Sequence, residues 1–148
     1  MKTFIASSNR IKALNDAILI QLQTIIMREN VILIGDCRGA DTAVQQYLAD
    51  MAYPDVTVYA SGYSVHCNIG GWNVRHIPAP NDVTGYEFYR QKDYALAKDA
   101  DCGLILWDGK SKATKDNFIR LVEQNKPATL IFIPEGQNKS DTVMEAIS

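Results

Sequence analysis

The sequence predicts a three-layer, doubly wound α/β fold around a mostly parallel sheet of about five strands, and three observations predict it. Five short apolar runs are strand-length and largely unalternated, as strands covered on both faces are. Amphipathic helical stretches lie between them, giving the order βαβαβ, a long insert, then αβαβ. The conspicuous polar clusters fall where strands end and helices begin, the edge at which open α/β sheets gather ligands.

The first run is TFIAS at 3–7, followed by Leu14, Ile18, Leu22 and Ile25 on one helical face. VILIG at 31–35 leads into a second helical stripe of Val44, Tyr47, Leu48 and Met51, and VTVYAS at 56–61 is the third run. Residues 62–88 are then rich in Gly, Pro and Asn, and a connection of that length in a compact domain is a functional lid or a disordered stretch. From Glu87 to Ala100 the apolar positions Tyr89, Leu96, Ala97 and Ala100 suggest a third helix. CGLILWD at 102–108 is the fourth run, and Phe118, Leu121 and Val122 mark a helix that Pro127 closes before ATLIFIP at 128–134. The expected organisation is one domain over 1–134 with an insert at 62–86, then a tail at 135–148 holding a short helix capped by Ser140 or Asp141.

A chain of 148 residues, 47% hydrophobic and 22% charged, can bury a real core. Its net charge of -2 gives no broad basic field, which disfavours a dedicated duplex-DNA binder. No segment approaches the roughly 20 apolar residues of a membrane span, and the apolar stretch in MKTFIASSNR is too short for a signal peptide. The expected location is therefore cytoplasmic. Cys37, Cys67 and Cys102 are odd in number and widely spaced, so reduced thiols are expected.

The chemistry is expected at three strand ends. Ser7, Ser8 and Arg10 follow the first strand; Gly35, Asp36, Arg38, Gly39 and Asp41 follow the second; Asp108, Gly109, Ser111 and Thr114 follow the fourth. Small residues let a ligand backbone or phosphate come close, Arg38 supplies charge, and Asp41 is placed to cap a helix or to accept from a ribose hydroxyl. Glycine after a strand and aspartate at a helix start are also ordinary turn chemistry, and neither loop is a complete dinucleotide or P-loop fingerprint.

Taken together, GDCRGADTAVQQYL, EFYRQKDYALAKDAD and WDGKSKATKDN resemble segments of the SLOG superfamily of Rossmann-like proteins, which includes the Lonely Guy phosphoribohydrolases and the YspA-type proteins. The resemblance runs from about Phe4 to Ile133. It implies a Rossmann-like fold and a pocket for a nucleotide or a nucleotide-derived ligand, ADP-ribose-like, with Gly35, Arg38, Gly39 and Asp41 on one side. Gly109, Ser111 and Thr114 would hold phosphate on the other side, joined by Ser7, Ser8 and Arg10. Ala113 stands where the superfamily's loop has glycine, and Asn117 where its phosphoribohydrolases have glutamate. An amide neither takes a proton nor stabilises a developing oxocarbenium ion.

The resemblance therefore favours a binder without efficient turnover, with no further cofactor. An enzyme cleaving or transferring an N-glycosidic bond, phosphoribohydrolase or nucleoside deoxyribosyltransferase in type, is the alternative, with Glu87 or Asp93 as nucleophile or base and Arg90 beside them. Ordinary surface ion pairs explain the same helix spacings. An interaction module with a vestigial pocket is a third reading, and a homo-oligomer is compatible with all three. His66, Cys67 and His76 lack the number and spacing of a zinc site. Trp72, Tyr63 and Tyr86 are candidates for stacking on a base, while Trp107 is core, pocket wall or stacking partner.

Overall fold

The computed structural model describes residues 1–134 and, as backbone, 142–146. The chain runs β1 (Lys2–Ser7), α1 (Asp16–Met27), β2 (Val31–Gly35), α2 (Thr42–Asp50), β3 (Val56–Ser61) and β4 (Asn73–Ile77). It continues with α3 (Gly85–Asp99), β5 (Cys102–Trp107), α4 (Lys112–Glu123), β6 (Ala128–Phe132) and β7 (Thr142–Ala146). The strands form one sheet in the order β4-β3-β2-β1-β5-β6-β7, parallel throughout except that β7 runs antiparallel to β6.

The five apolar runs are the five inner strands, and two more strands extend the sheet at its edges. β4 lies inside the segment expected to be an irregular insert, where NVRHI pairs with β3 from Thr57 opposite Asn73 to Ser61 opposite Ile77. It is an edge strand with no fully buried residue, so it lacks the apolar run that identifies its neighbours. The expected tail helix is corrected in part: residues 142–146 are extended, while Ser140 and Asp141 lie outside the described residues.

Consecutive strand residues divide between two cores, which is why the runs do not alternate. Ile5, Ile32 and Ile34 pack under α1 and α2 with Ile18, Leu22, Val44 and Leu48. Phe4, Leu33 and Ile105 pack under α3 and α4 with Leu96, Ala97 and Leu121. Each of these side chains larger than alanine contributes about 1.5–3 kcal/mol by burial. α1 starts at Asn15, whose side chain accepts from the Ile18 amide at 3.0 Å. α1, α2 and α4 are followed by residues of positive φ, Glu29, Ala52 and Asn125, which turn the chain out of each helix.

The order of connections positions the site. From β1 the chain adds β2, β3 and β4 outward, then returns through α3 to place β5 on the other flank of β1. The switch in direction opens a crevice between the loops that follow β1, β2 and β5. Among the described residues, no helix is long and apolar enough to cross a membrane.

Candidate functional site

A cavity of about 550 Å³ occupies that crevice. Ser7 and Asn9 line it from the end of β1; Gly35, Cys37, Arg38 and Asp41 from the β2–α2 loop; Ser111, Ala113, Thr114 and Asn117 from the start of α4. α3 supplies Tyr86, Tyr89, Arg90, Lys92 and Asp93, and the segment between β3 and β4 supplies His66. The two loops singled out in the sequence thus meet across one cavity, with α3 as its third wall.

Arg90 is 3% exposed, unusual for a cation, and is held on one edge. Its Nη1 donates to Asp93 Oδ2 at 2.6 Å, Asn117 Oδ1 at 2.9 Å and the Ala113 carbonyl at 3.3 Å. Nε and Nη2 have no hydrogen-bond partner among the described residues, nor is either sealed from solvent. Asn117, at the position expected to bear a catalytic carboxylate, instead accepts from Arg90 and helps to orient it. Burial raises the pKa of Asp93, and the Arg90 charge only partly offsets that rise.

Lys92 Nζ donates to Asp36 Oδ1 at 2.6 Å, and both residues are buried. Burial pulls the Lys92 pKa down, but the hydrogen bond to Asp36 and the charges of Asp36, Asp41 and Asp93 outweigh it, and the net direction is upward. The other Asp36 oxygen, Oδ2, accepts from the His66 amide at 3.0 Å. Asp36 therefore joins the end of β2 to α3 and to the segment that follows β3.

Asp41 occupies the residue before α2, yet its side chain makes no capping bond. It turns back, and Oδ2 accepts from the Cys37 amide at 2.9 Å. Burial is the main reason its pKa rises from 3.8 to about 7, with the Asp93 and Asp36 charges adding to the rise against the Cys37 bond and Lys92. The carboxyl can therefore both give and take a proton near neutrality.

The glycines of these loops are explained by protein atoms. A Cβ on Gly35 would lie 2.8 Å from Asp41 Oδ2, and one on Gly39 would lie 3.0 Å from Asn9 Oδ1. The space expected for a ligand at these two positions is taken by those side chains. Gly109 has φ +84°, which only glycine adopts freely, and a Cβ there would meet the Phe132 ring at 2.7 Å. Around it, Asp108 Oδ1 accepts from the Lys110 and Ser111 amides, each at 2.8 Å. Ser111 caps α4 by accepting from the Thr114 amide at 3.4 Å. Ser8 Oγ accepts from the Asp108 amide and donates to Thr114 Oγ1, both at 3.2 Å, while Thr114 and Ser111 share a hydroxyl pair at 2.9 Å.

Of the expected site residues, Ser7, Gly35, Arg38, Asp41, Ser111, Thr114, Asn117, Arg90 and Asp93 line the cavity. Ser8, Asp36 and Asp108 lie behind it as supports. Arg10, Gly39, Gly109 and Glu87 are not in its wall. Exposed Glu87 accepts instead from Tyr94 Oη at 2.7 Å and from Gln91 Nε2. Tyr86 reaches the cavity, but Tyr63 and Trp72 do not: Tyr63 points to solvent, and Trp72 Nε1 donates to the Tyr53 carbonyl at 2.9 Å. Trp107 lies outside the cavity wall, packed against the second core with Nε1 on the Ser111 carbonyl.

Sequence reasoning missed Lys92, His66 and Tyr89. The signal for Lys92 was present, because the apolar stripe of Leu96, Ala97 and Ala100 continues one turn back onto Lys92 and Asp93. A charge on the inward face of a helix signals a buried partner. No protein-family model matches the chain, and no curated protein or solved structure matches it.

Proposed function

We propose that the chain binds a nucleotide or a nucleotide-derived ligand, ADP-ribose-like, in the cavity at the β1/β5 switch point. The observation that carries this reading is the buried Arg90, saturated on one edge of its guanidinium and without a partner on the other, beside the hydroxyls of Ser111 and Thr114. A guanidinium edge in a concave, partly dry site is suited to phosphate oxygens. Lys92 has N–H groups beyond the one given to Asp36, and Tyr86 and Tyr89 offer ring faces at the mouth for a base. The cavity volume of about 550 Å³ lies within the usual span of small-molecule sites.

One observation favours the enzymatic alternative. Asp41 and Asp93 both line the cavity and both have raised pKa values, as a proton donor or base for cleaving an N-glycosidic bond would require. With Glu87 outside the wall, Asp93 is the carboxylate to test as nucleophile or base.

The experiment is a panel of nucleosides and nucleotides read by thermal shift, with chromatography for free base on the same samples. The binder gives saturable shifts with nucleotides and weaker ones with nucleosides, and Arg90→Gln removes the difference. Base release that disappears in Asp93→Asn selects the enzyme. Absence of any shift and of any base release overturns both.

A further inference from the structure

A second cavity, of about 470 Å³, lies between the segment after β1 and α2. Ile11, Leu14 and the half-buried ring of Tyr47 give it an apolar lining, and Lys12, Thr42, Gln46 and Asp50 a polar one, with Gln46 Nε2 donating to Asp50 Oδ1 at 2.9 Å at the end away from Arg38 along α2. Arg38 lines both cavities. Its Nε donates to the His66 carbonyl at 3.0 Å, which fixes the stem, while the guanidinium has no acidic partner among the described residues. Arg90 and Lys92 differ, each holding a carboxylate at 2.6 Å.

The geometry points to a two-part ligand that spans both cavities: a nucleotide half in the first, an anionic bridge of the pyrophosphate kind on Arg38, and a second ring-bearing half beside Tyr47. This rests on the nucleotide reading above and extends it to a site outside the switch-point crevice. A positioned cation without a counter-charge between two concavities suits the one part of such a ligand that carries charge. An apolar lining with one aromatic ring suits a planar or sugar-bearing group whose hydroxyls meet a polar rim. A mononucleotide would fill one cavity and leave the other open.

The test is calorimetric titration of the full-length chain with AMP, ADP and ADP-ribose. ADP-ribose is expected to bind at least about tenfold more tightly than AMP, with ADP, which has the bridge but no second half, between them. Gln46→Trp, an exposed substitution that fills the second cavity, brings ADP-ribose down to the level of ADP and leaves AMP unchanged. Arg38→Gln, which leaves the fillable space intact, removes the advantage of ADP over AMP. If AMP binds while ADP-ribose binds no more tightly than ADP, or Gln46→Trp leaves ADP-ribose unaffected, the two-part ligand is overturned and the nucleotide reading stands. If none of the three binds, the two-part ligand falls together with the nucleotide reading.

Discussion

Between Gly35 and Asp41 the polar side chains reach far along the chain, Asp36 to His66 and Lys92 and Arg38 to His66, whereas between Asp108 and Thr114 most bonds close within a few residues. The second loop is an aspartate turn, a positive-φ glycine and a serine cap, each of which shapes the backbone by itself. The first loop has local bonds between Cys37 and Asp41, but Asp36 and Arg38 find their partners only when α3 and the segment after β3 are docked. The cavity thus joins a wall shaped mostly by local bonds, with Ser8 as its distant tie, to one whose charged side chains depend on distant partners, and substitutions should separate them.

The largest separation is expected from Lys92→Met, which leaves the Asp36 carboxylate, 1% exposed, without its cation. Removing one partner of a buried pair costs about 3–5 kcal/mol. Urea denaturation should show that loss, and Asp36→Asn in the same chain should recover much of it. A loss below 1 kcal/mol would break the contrast.

Next is the pH dependence set by Asp41. Burial raises its carboxyl from 3.8 to about 7, so the folded chain keeps a proton that the unfolded chain releases. Its contribution to stability is full below about pH 4 and is lost as pH rises through 7, at up to about 1.4 kcal/mol per pH unit. Stability curves of the wild type and Asp41→Asn should therefore diverge across that interval, with the flatter profile in the variant.

Gly35→Ala is expected to cost about 1–3 kcal/mol, because a methyl 2.8 Å from Asp41 Oδ2 forces the carboxyl or the strand end to move. The cost should shrink in an Asp41→Ala background, a coupling that a double-mutant cycle measures. Ser111→Ala is the smallest change, about 1 kcal/mol for a lost N-cap. NMR shift changes confined to the first turn of α4 and its neighbours would sharpen the contrast, and changes spreading to the β2–α2 loop would erase it.

The same division explains what could be read from the sequence. The inner strands announce themselves because burial on both faces demands continuous apolar runs, and α1 to α4 because one face of each must be apolar. β4 stays hidden because an edge strand satisfies half its backbone on β3 and leaves Arg75 and His76 exposed, so its residues look like loop. At the site, Arg38, Asp41, Ser111 and Thr114 are legible because strand ends and helix starts have a local grammar. Arg90 and Asp93 follow from their helix. His66 enters through its backbone amide, which any residue would supply, and no residue type can signal that. Gly35 is hard to read for a related reason, since the atom beside it belongs to Asp41, six positions further on, for which the sequence suggests a cap or a ribose contact.

Asp36 reaches across 30 positions to His66 and across 56 to Lys92. Ties of that span need β3 in place beside β2 and α3 packed back onto the sheet, so this rim of the crevice is made by long-range contacts rather than by its own loop. A chain in which α3 had come away would have no finished recess, and occupancy by a small molecule would then report on that docking as well as on concentration.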